Sequence, residues 1–207
     1  MKTVHPGTAP GYSVAAMNTA NHPSRHLAVY CGSTKGTRPE FMEEARALGA
    51  AIAAAELGMV YGGANVGLMG AVADAALDCG TEVYGVLPQV LVEREIAHPN
   101  LTHFELVDDM HQRKARMSEL ADGFMVLPGG FGTLDELFEA VSWSQLGIHS
   151  KPCVLINTVG YWDELLQFLD TAVSSGFLKA KNRACLSVAP DAASAVELAL
   201  EFWRKKD

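Results

Sequence analysis

The residues best equipped for chemistry are an arginine and a glutamate set among glycines. In the run Met110-His111-Gln112-Arg113-Lys114-Ala115-Arg116-Met117, the positions Met110, Arg113, Met117 and Leu120 are spaced by 3, 4 and 3. That spacing puts them on one face of a helix. Arg113 therefore stands in a mostly apolar stripe, in the first turn. An inward guanidinium is rare unless an anion meets it. The anion is either a carboxylate of the protein, Glu136 or Asp109, in a structural salt bridge, or a bound ligand. A third arrangement lets the side chain snorkel to solvent.

Glu136 lies in the stretch from Asp122 to Leu137, DGFMVLPGGFGTLDEL. Phe124 to Leu127 is the apolar run of a fully buried strand. Pro128 stops it, and Gly129, Gly130 and Gly132 follow. Glycine accepts positive φ and lets a ligand approach the backbone without meeting a Cβ. Thr133 with Glu136 three residues on reads as a capping box, which predicts a helix starting at Thr133. A tight turn and a capped helix explain these residues on their own. Strand, glycine turn and helix N-terminus in succession also build an anion site from backbone N–H groups and the helix dipole. The spacing fits neither G-x-G-x-x-G nor the P-loop pattern.

The elements that must position these groups follow from the rest of the chain. Apolar runs predict strands at His26–Cys31, Met59–Tyr61, Glu82–Leu87, Phe104–Val107, Phe124–Leu127 and Cys153–Asn157, with a last short one at Leu186–Val188. Between them, helices are predicted from Thr37 (with Pro39 in the first turn) to about Leu57 and from Leu68 to Cys79, where Gly80 suits the C′ position. Further helices run from an Asp108 or Asp109 cap to about Ala121, from Thr133 to near Gly147, from Tyr161 to Ser175, and from Pro190 to about Lys205. A long loop is expected from Pro88 to about Asn100. Strands that are continuous apolar runs and alternate with helices mean an α/β fold: a parallel sheet covered on both faces. Residues 1–25, rich in Pro, Gly, Ser, Thr, Asn and His, read as a disordered extension without the apolar core of a signal peptide, and 26–207 as a single domain.

Composition narrows the function. With 49% hydrophobic and 19% charged residues the chain is an ordinary globular protein, and its net charge of −8 argues against nucleic acid or a membrane surface as partner. No apolar run nears the roughly 18 residues of a membrane span. The four cysteines, Cys31, Cys79, Cys153 and Cys185, each in or beside an apolar run, form no C-x-x-C and read as buried free thiols of a reducing, cytoplasmic compartment. His98, His103 and His111 lie near one another without metal-site spacing, so no metal is expected.

Loops that follow the strands of a parallel sheet share one edge, where ligands bind. Gly32-Ser33, the turn from Gly62 to Gly67, and the turn from Gly129 to Thr133 all fall there, as does the first turn carrying Arg113. Glycine turns, a helix N-terminus, an inward Arg and a Glu on one edge point to a pocket for a phosphorylated small molecule. Met110-x-x-Arg113-Lys114 followed by Pro128-Gly129-Gly130-Phe131-Gly132-Thr133-Leu134-Asp135-Glu136 resembles the Lonely Guy (LOG) family. Cys31-Gly32-Ser33 and the turn from Tyr61 to Gly70 match two more of its motifs in order, although Ala64 stands where the family often has a third glycine. The resemblance runs from about Leu27 to the C-terminus.

The resemblance implies a Rossmann-like, doubly wound sheet and cytokinin riboside 5′-monophosphate phosphoribohydrolase activity. Water would split the N-glycosidic bond of an N6-modified AMP, or of AMP itself, without a cofactor. It also implies a homodimer with the pocket near the interface, for which the helix from Thr133 to Leu146, Trp143 and Ile148 are candidates, core being the alternative for Trp143. By this resemblance Arg113 and Glu136 are catalytic. Gly129, Gly130, Gly132 and Thr133 would take the phosphate; Ser33, Gly62 and Gly63 line the sugar side; Met110 and Leu91 line the base side. Lys114 and Glu95 match further substrate-contact positions. Two rivals stand against the hydrolase. One is a non-catalytic nucleotide or cofactor carrier, which would need neither Arg113 nor Glu136. The other is a pyridoxal-phosphate decarboxylase, whose Schiff-base lysine could only be Lys114.

Overall fold

Seven short apolar segments pair into one parallel sheet: β1 (His26–Tyr30), β2 (Gly58–Tyr61), β3 (Val83–Pro88), β4 (His103–Val107), β5 (Gly123–Val126), β6 (Cys153–Ile156) and β7 (Leu186–Ala189). The computed structural model describes residues 25–89 and 97–206, so the predicted extension, apart from Arg25, as well as Leu91 and Glu95, lie outside the described residues. The strand order is β4-β3-β2-β1-β5-β6-β7, every pair parallel. The order reverses at β1, whose Leu27 is in register with Met59 on one side and Gly123 on the other. This is the switch point at which a doubly wound sheet opens a crevice.

Helices α1 (Pro39–Ala54), α2 (Gly67–Asp78) and α7 (Ala192–Arg204) cover one face; α3 (Met110–Leu120), α4 (Phe131–Gln145) and α5 (Asp163–Ser174) cover the other. Because both faces are covered, β2, β5 and β6 are buried throughout, which is why they read as unbroken apolar runs. Helix α1 lies directly on α2: a Cβ at Gly49 would meet the Val72 carbonyl oxygen at 2.5 Å. No helix among the described residues is long and apolar enough to cross a membrane.

Most predicted elements stand within a residue or two of their expected ends. Asp109, not Asp108, caps α3, its carboxylate accepting from the Gln112 N–H at 2.8 Å. Asp191 does the same for α7 at Ser194, so that helix starts after Pro190. Pro39 opens α1, with Arg38 rather than Thr37 at the cap position. A short helix, α6 (Ala180–Arg183), and a 3₁₀ turn, Thr158–Gly160, carry no periodic signal and were not expected.

The capping box does not form: α4 begins at Phe131, two residues early, with Gly130 at its N-cap and no side-chain cap. Thr133 is the third residue of the helix and is buried. The glycines let the chain turn straight from strand to helix, and the first N–H groups stay free of an internal acceptor.

Candidate active site

The site is assembled where three turns meet at the C-terminal edge of the sheet. The Gly32 N–H donates to the Pro128 carbonyl at 3.0 Å, tying the turn after β1 to the turn after β5. The Leu68 N–H donates to the Gly32 carbonyl at 3.1 Å and brings in the start of α2. At Gly67, φ is +56° and a Cβ would meet the Ser33 carbonyl carbon at 2.3 Å, so only glycine allows this approach.

Arg113 projects from the first turn of α3 into the space these turns enclose. Its burial is nearly complete, at 7% exposure. A guanidinium nitrogen lies 3.9 Å from Glu136 Oε1, another contacts the Met110 sulfur at 3.8 Å, and Nε is buried without a hydrogen-bond partner among the described residues. Gly62 makes room for it, since a Cβ there would fall 1.7 Å from the guanidinium. The salt bridge to Glu136 thus exists, but at a length beyond a hydrogen bond. Both partners keep capacity for something else.

Burial pushes the Glu136 carboxyl up to about 7, against the opposing pull of Arg113. A group that titrates near neutrality because its charge is poorly solvated is the usual mark of a working acid or base. The neighbouring Cys31 thiol is pushed far up by burial and then by Glu136, which keeps it protonated and removes it as a nucleophile.

Around this pair lies a cavity of about 210 Å³. Of the expected site residues it brings together Ser33, Gly62, Met110, Arg113, Gly130, Gly132, Thr133 and Glu136. Gly130 and Gly132 face open space at the N-terminus of α4. Three expected contacts stand outside it. Gly129 packs inward, where a Cβ would meet the Thr133 hydroxyl at 2.0 Å. Gly63, at φ +79°, uses its carbonyl to accept from the His98 N–H at 3.0 Å. Lys114 turns away to bridge α3 and α4, its amine 3.0 Å from Asp135 and 2.8 Å from Glu139. Desolvation opposes its charge, but the hydrogen bonds to these carboxylates hold its pKa above the ordinary lysine value.

Sequence reasoning missed Val29, Met69 and Phe131 as walls of the cavity. The first two look like ordinary core residues, and only the meeting of β1, α2 and α4 exposes them to a ligand. Phe131 is 93% exposed on the rim; Phe138 on the same helix, and Leu146 and Ile148 at and past its far end, are also exposed. A larger hollow of about 630 Å³, between Cys153, Cys185, Lys151 and Phe202, opens at the opposite edge of the sheet but contains no pairing of acid and base. Size does not mark the site; the juxtaposed charges do.

Comparison with known proteins agrees with this architecture. Residues 69–199 match a family model described as "Possible lysine decarboxylase". Over 178 residues the chain is 44% identical to the cytokinin riboside 5′-monophosphate phosphoribohydrolase LOG7 of Arabidopsis thaliana, covering 86% of this chain and 82% of that protein. It is 45% identical over 173 residues to the cytokinin riboside 5′-monophosphate phosphoribohydrolase of Rhodococcoides fascians, covering 83% and 87%. Among solved structures, the Moco carrier protein of Chlamydomonas reinhardtii superposes with a TM-score of 0.67 at 21% identity, over 87% of this chain and 98% of that one. That likeness speaks to the fold alone. With identities of this size over most of both chains, the protein belongs to the Lonely Guy (LOG) family.

Proposed function

We infer that this protein is a phosphoribohydrolase: it hydrolyses the N-glycosidic bond of adenosine 5′-monophosphates, N6-modified cytokinin nucleotides among them, to free base and ribose 5-phosphate. The observation that carries the reading is the buried Arg113–Glu136 pair, 3.9 Å apart beside an uncapped helix N-terminus. The relatives' activity points the same way. A carrier needs the helix N-terminus but neither of these side chains. The decarboxylase label requires an uncharged lysine amine, whereas Lys114 is clamped and protonated between two carboxylates.

The chemistry follows from the geometry. The 5′-phosphate rests on the free N–H groups from Gly130 to Thr133, where the helix dipole favours an anion, with the Thr133 hydroxyl beside it. Ser33 and Gly62 border the ribose, and Met110 borders the base. As the bond to the base breaks, the sugar takes on oxocarbenium character, and a fixed carboxylate lowers that barrier. Glu136 supplies it or orients the attacking water. Arg113 meets negative charge on the departing purine and keeps Glu136 placed. Gly63, Gly129 and Lys114 act behind these contacts, shaping the turns and locking α3 to α4. Glu95 is proposed to contact the substrate on the family pattern alone, and Leu91 to line the base side.

The cavity of about 210 Å³ is smaller than the roughly 300 Å³ at which ligand pockets begin. A second copy of the chain completing its mouth fits this, and the exposed Phe131 at the start of α4, with Leu146 and Ile148 at its far end, supplies apolar surface for a homodimer. Of the four free thiols expected to be buried, Cys31 and Cys153 are, whereas Cys79 at the end of α2 is exposed and Cys185 partly so; free thiols suit the cytoplasm. The test is incubation of the purified protein with AMP and with isopentenyladenosine monophosphate, following free base by chromatography. Release of base with ribose 5-phosphate is expected. AMP that binds and survives intact would make the protein a carrier.

A further inference from the structure

The structure assigns Tyr161 a positioning role in anion binding: its hydroxyl aims the Gly129–Gly130 peptide so that the Gly130 N–H points at the substrate's phosphate. The assignment rests on the reading of the α4 N-terminus as the phosphate seat. Tyr161 is not a wall of the cavity, and it lies on a different loop, the one after β6. Its hydroxyl nevertheless donates to the Gly129 carbonyl at 2.7 Å.

In a planar trans peptide the carbonyl and the following N–H point in opposite directions. Holding the Gly129 oxygen on the Tyr161 side therefore turns the Gly130 N–H to the other side. A clamp is needed there because a peptide between two glycines rotates with little steric resistance. On the side where a Gly130 Cβ would stand there is open space, so nothing packs against the peptide from there. The hydroxyl also polarises the peptide it binds, which makes the N–H a stronger donor.

The loop that delivers Tyr161 is built for placement. Val159, a β-branched residue, sits at φ 49° and ψ 31°, followed by Gly160 at φ 76°. A β-branched residue rarely adopts this left-handed conformation, which is strained for it. Val159 is 46% exposed, so burial does not offset that strain. Asn157 cinches the loop: its side-chain oxygen accepts from the Trp162 N–H at 2.7 Å, and its amide donates to Asp163 at 2.7 Å. The Tyr161 ring is then gripped edge-on by Phe41 and Trp162, at centroid distances of 5.6 and 4.7 Å. Strain without burial, braced on both sides of one tyrosine, is what a geometric requirement on its hydroxyl would produce.

Tyr161→Phe keeps the ring and removes only the donor from a half-exposed residue, so the fold survives, which thermal unfolding checks. Calorimetric titration with ribose 5-phosphate should show binding about three- to tenfold weaker than wild type, the worth of one hydrogen bond. KM for AMP should rise by the same factor while kcat stays within about twofold, a split expected when uniform binding is lost. The Gly130 amide nitrogen resonance should move in the unliganded variant. Equal affinity of the two proteins for ribose 5-phosphate, or no binding by wild type, overturns the assignment. Failure of the wild type to release base from AMP overturns the proposed activity instead, and leaves the ribose 5-phosphate comparison to judge Tyr161 by itself.

Discussion

Two largely covered glutamates sit at opposite edges of the same sheet, with side chains similarly exposed, 10% for Glu136 and 9% for Glu82. Their surroundings differ in kind. Glu82, just before β3, has the His103 ring nitrogen at 2.6 Å, the His26 ring nitrogen at 3.4 Å, and a hydrogen bond from the Tyr84 hydroxyl. The rings of Tyr84 and His103 stack at 4.1 Å and shield the cluster. Glu136 has its cation held 3.9 Å away, and its charge is disfavoured enough to titrate near neutrality. A buried carboxylate surrounded by close donors stabilises a fold. One kept short of its partner costs stability, which is the pattern expected of the proposed catalytic role.

The contrast can be broken most sharply at Glu136 itself. Glu136→Gln and Arg113→Ala should each lower turnover of AMP by on the order of 10²-fold or more with the fold retained, as base-release assays and circular dichroism would read. Wild-type kcat in either variant would remove that residue from the chemistry. Gly62→Ala is next. Its methyl must displace the Arg113 guanidinium, a flexible group, so the chain still folds while kcat/KM falls roughly tenfold.

Acidity tests the same pair from another side. Because the folded carboxyl of Glu136 lies near 7, above its ordinary 4.5, the folded state binds its proton more tightly than the unfolded state does. The resulting stabilisation is complete below about pH 4.5 and lost as pH rises through 7. Denaturant unfolding should show wild type losing about 3 kcal/mol relative to Glu136→Gln across that window. If the carboxylate is the working form, kcat/KM should climb with pH to a midpoint near 7, and the residual rate of Glu136→Gln should lack that limb.

The smallest effect on activity belongs to Glu82. Glu82→Gln should leave kcat and KM for AMP unchanged while lowering unfolding free energy by roughly 1–3 kcal/mol, through donors left without a charged acceptor. A large loss of activity there would erase the distinction between the two edges.

Much of this protein is legible along the chain because its signals are local. Unbroken runs such as Phe124 to Leu127 mean strands buried on both faces, and these alternate with helices into a parallel sheet. The 3-4-3 spacing around Arg113 places it inward, and Asp109 and Gly80 mark helix ends by their own backbone chemistry. Local signals also misled. Thr133 and Glu136 have the spacing of a capping box, but the glycines before them admit an earlier helix start, and the two side chains serve the cavity instead.

What the sequence by itself determined is the sheet, the glycine turns at its edge and the pair of residues able to do chemistry, since each depends on residues close together in the chain. Only the tertiary structure decided how far Glu136 stands from Arg113, that Lys114 is captured by Asp135 and Glu139, and that Tyr161 reaches across 32 residues to Gly129. These are distances between separate elements. They are set by how the helices pack on the sheet and by how deeply each charge is withdrawn from water, neither of which is encoded in the spacing of residues along one strand or helix.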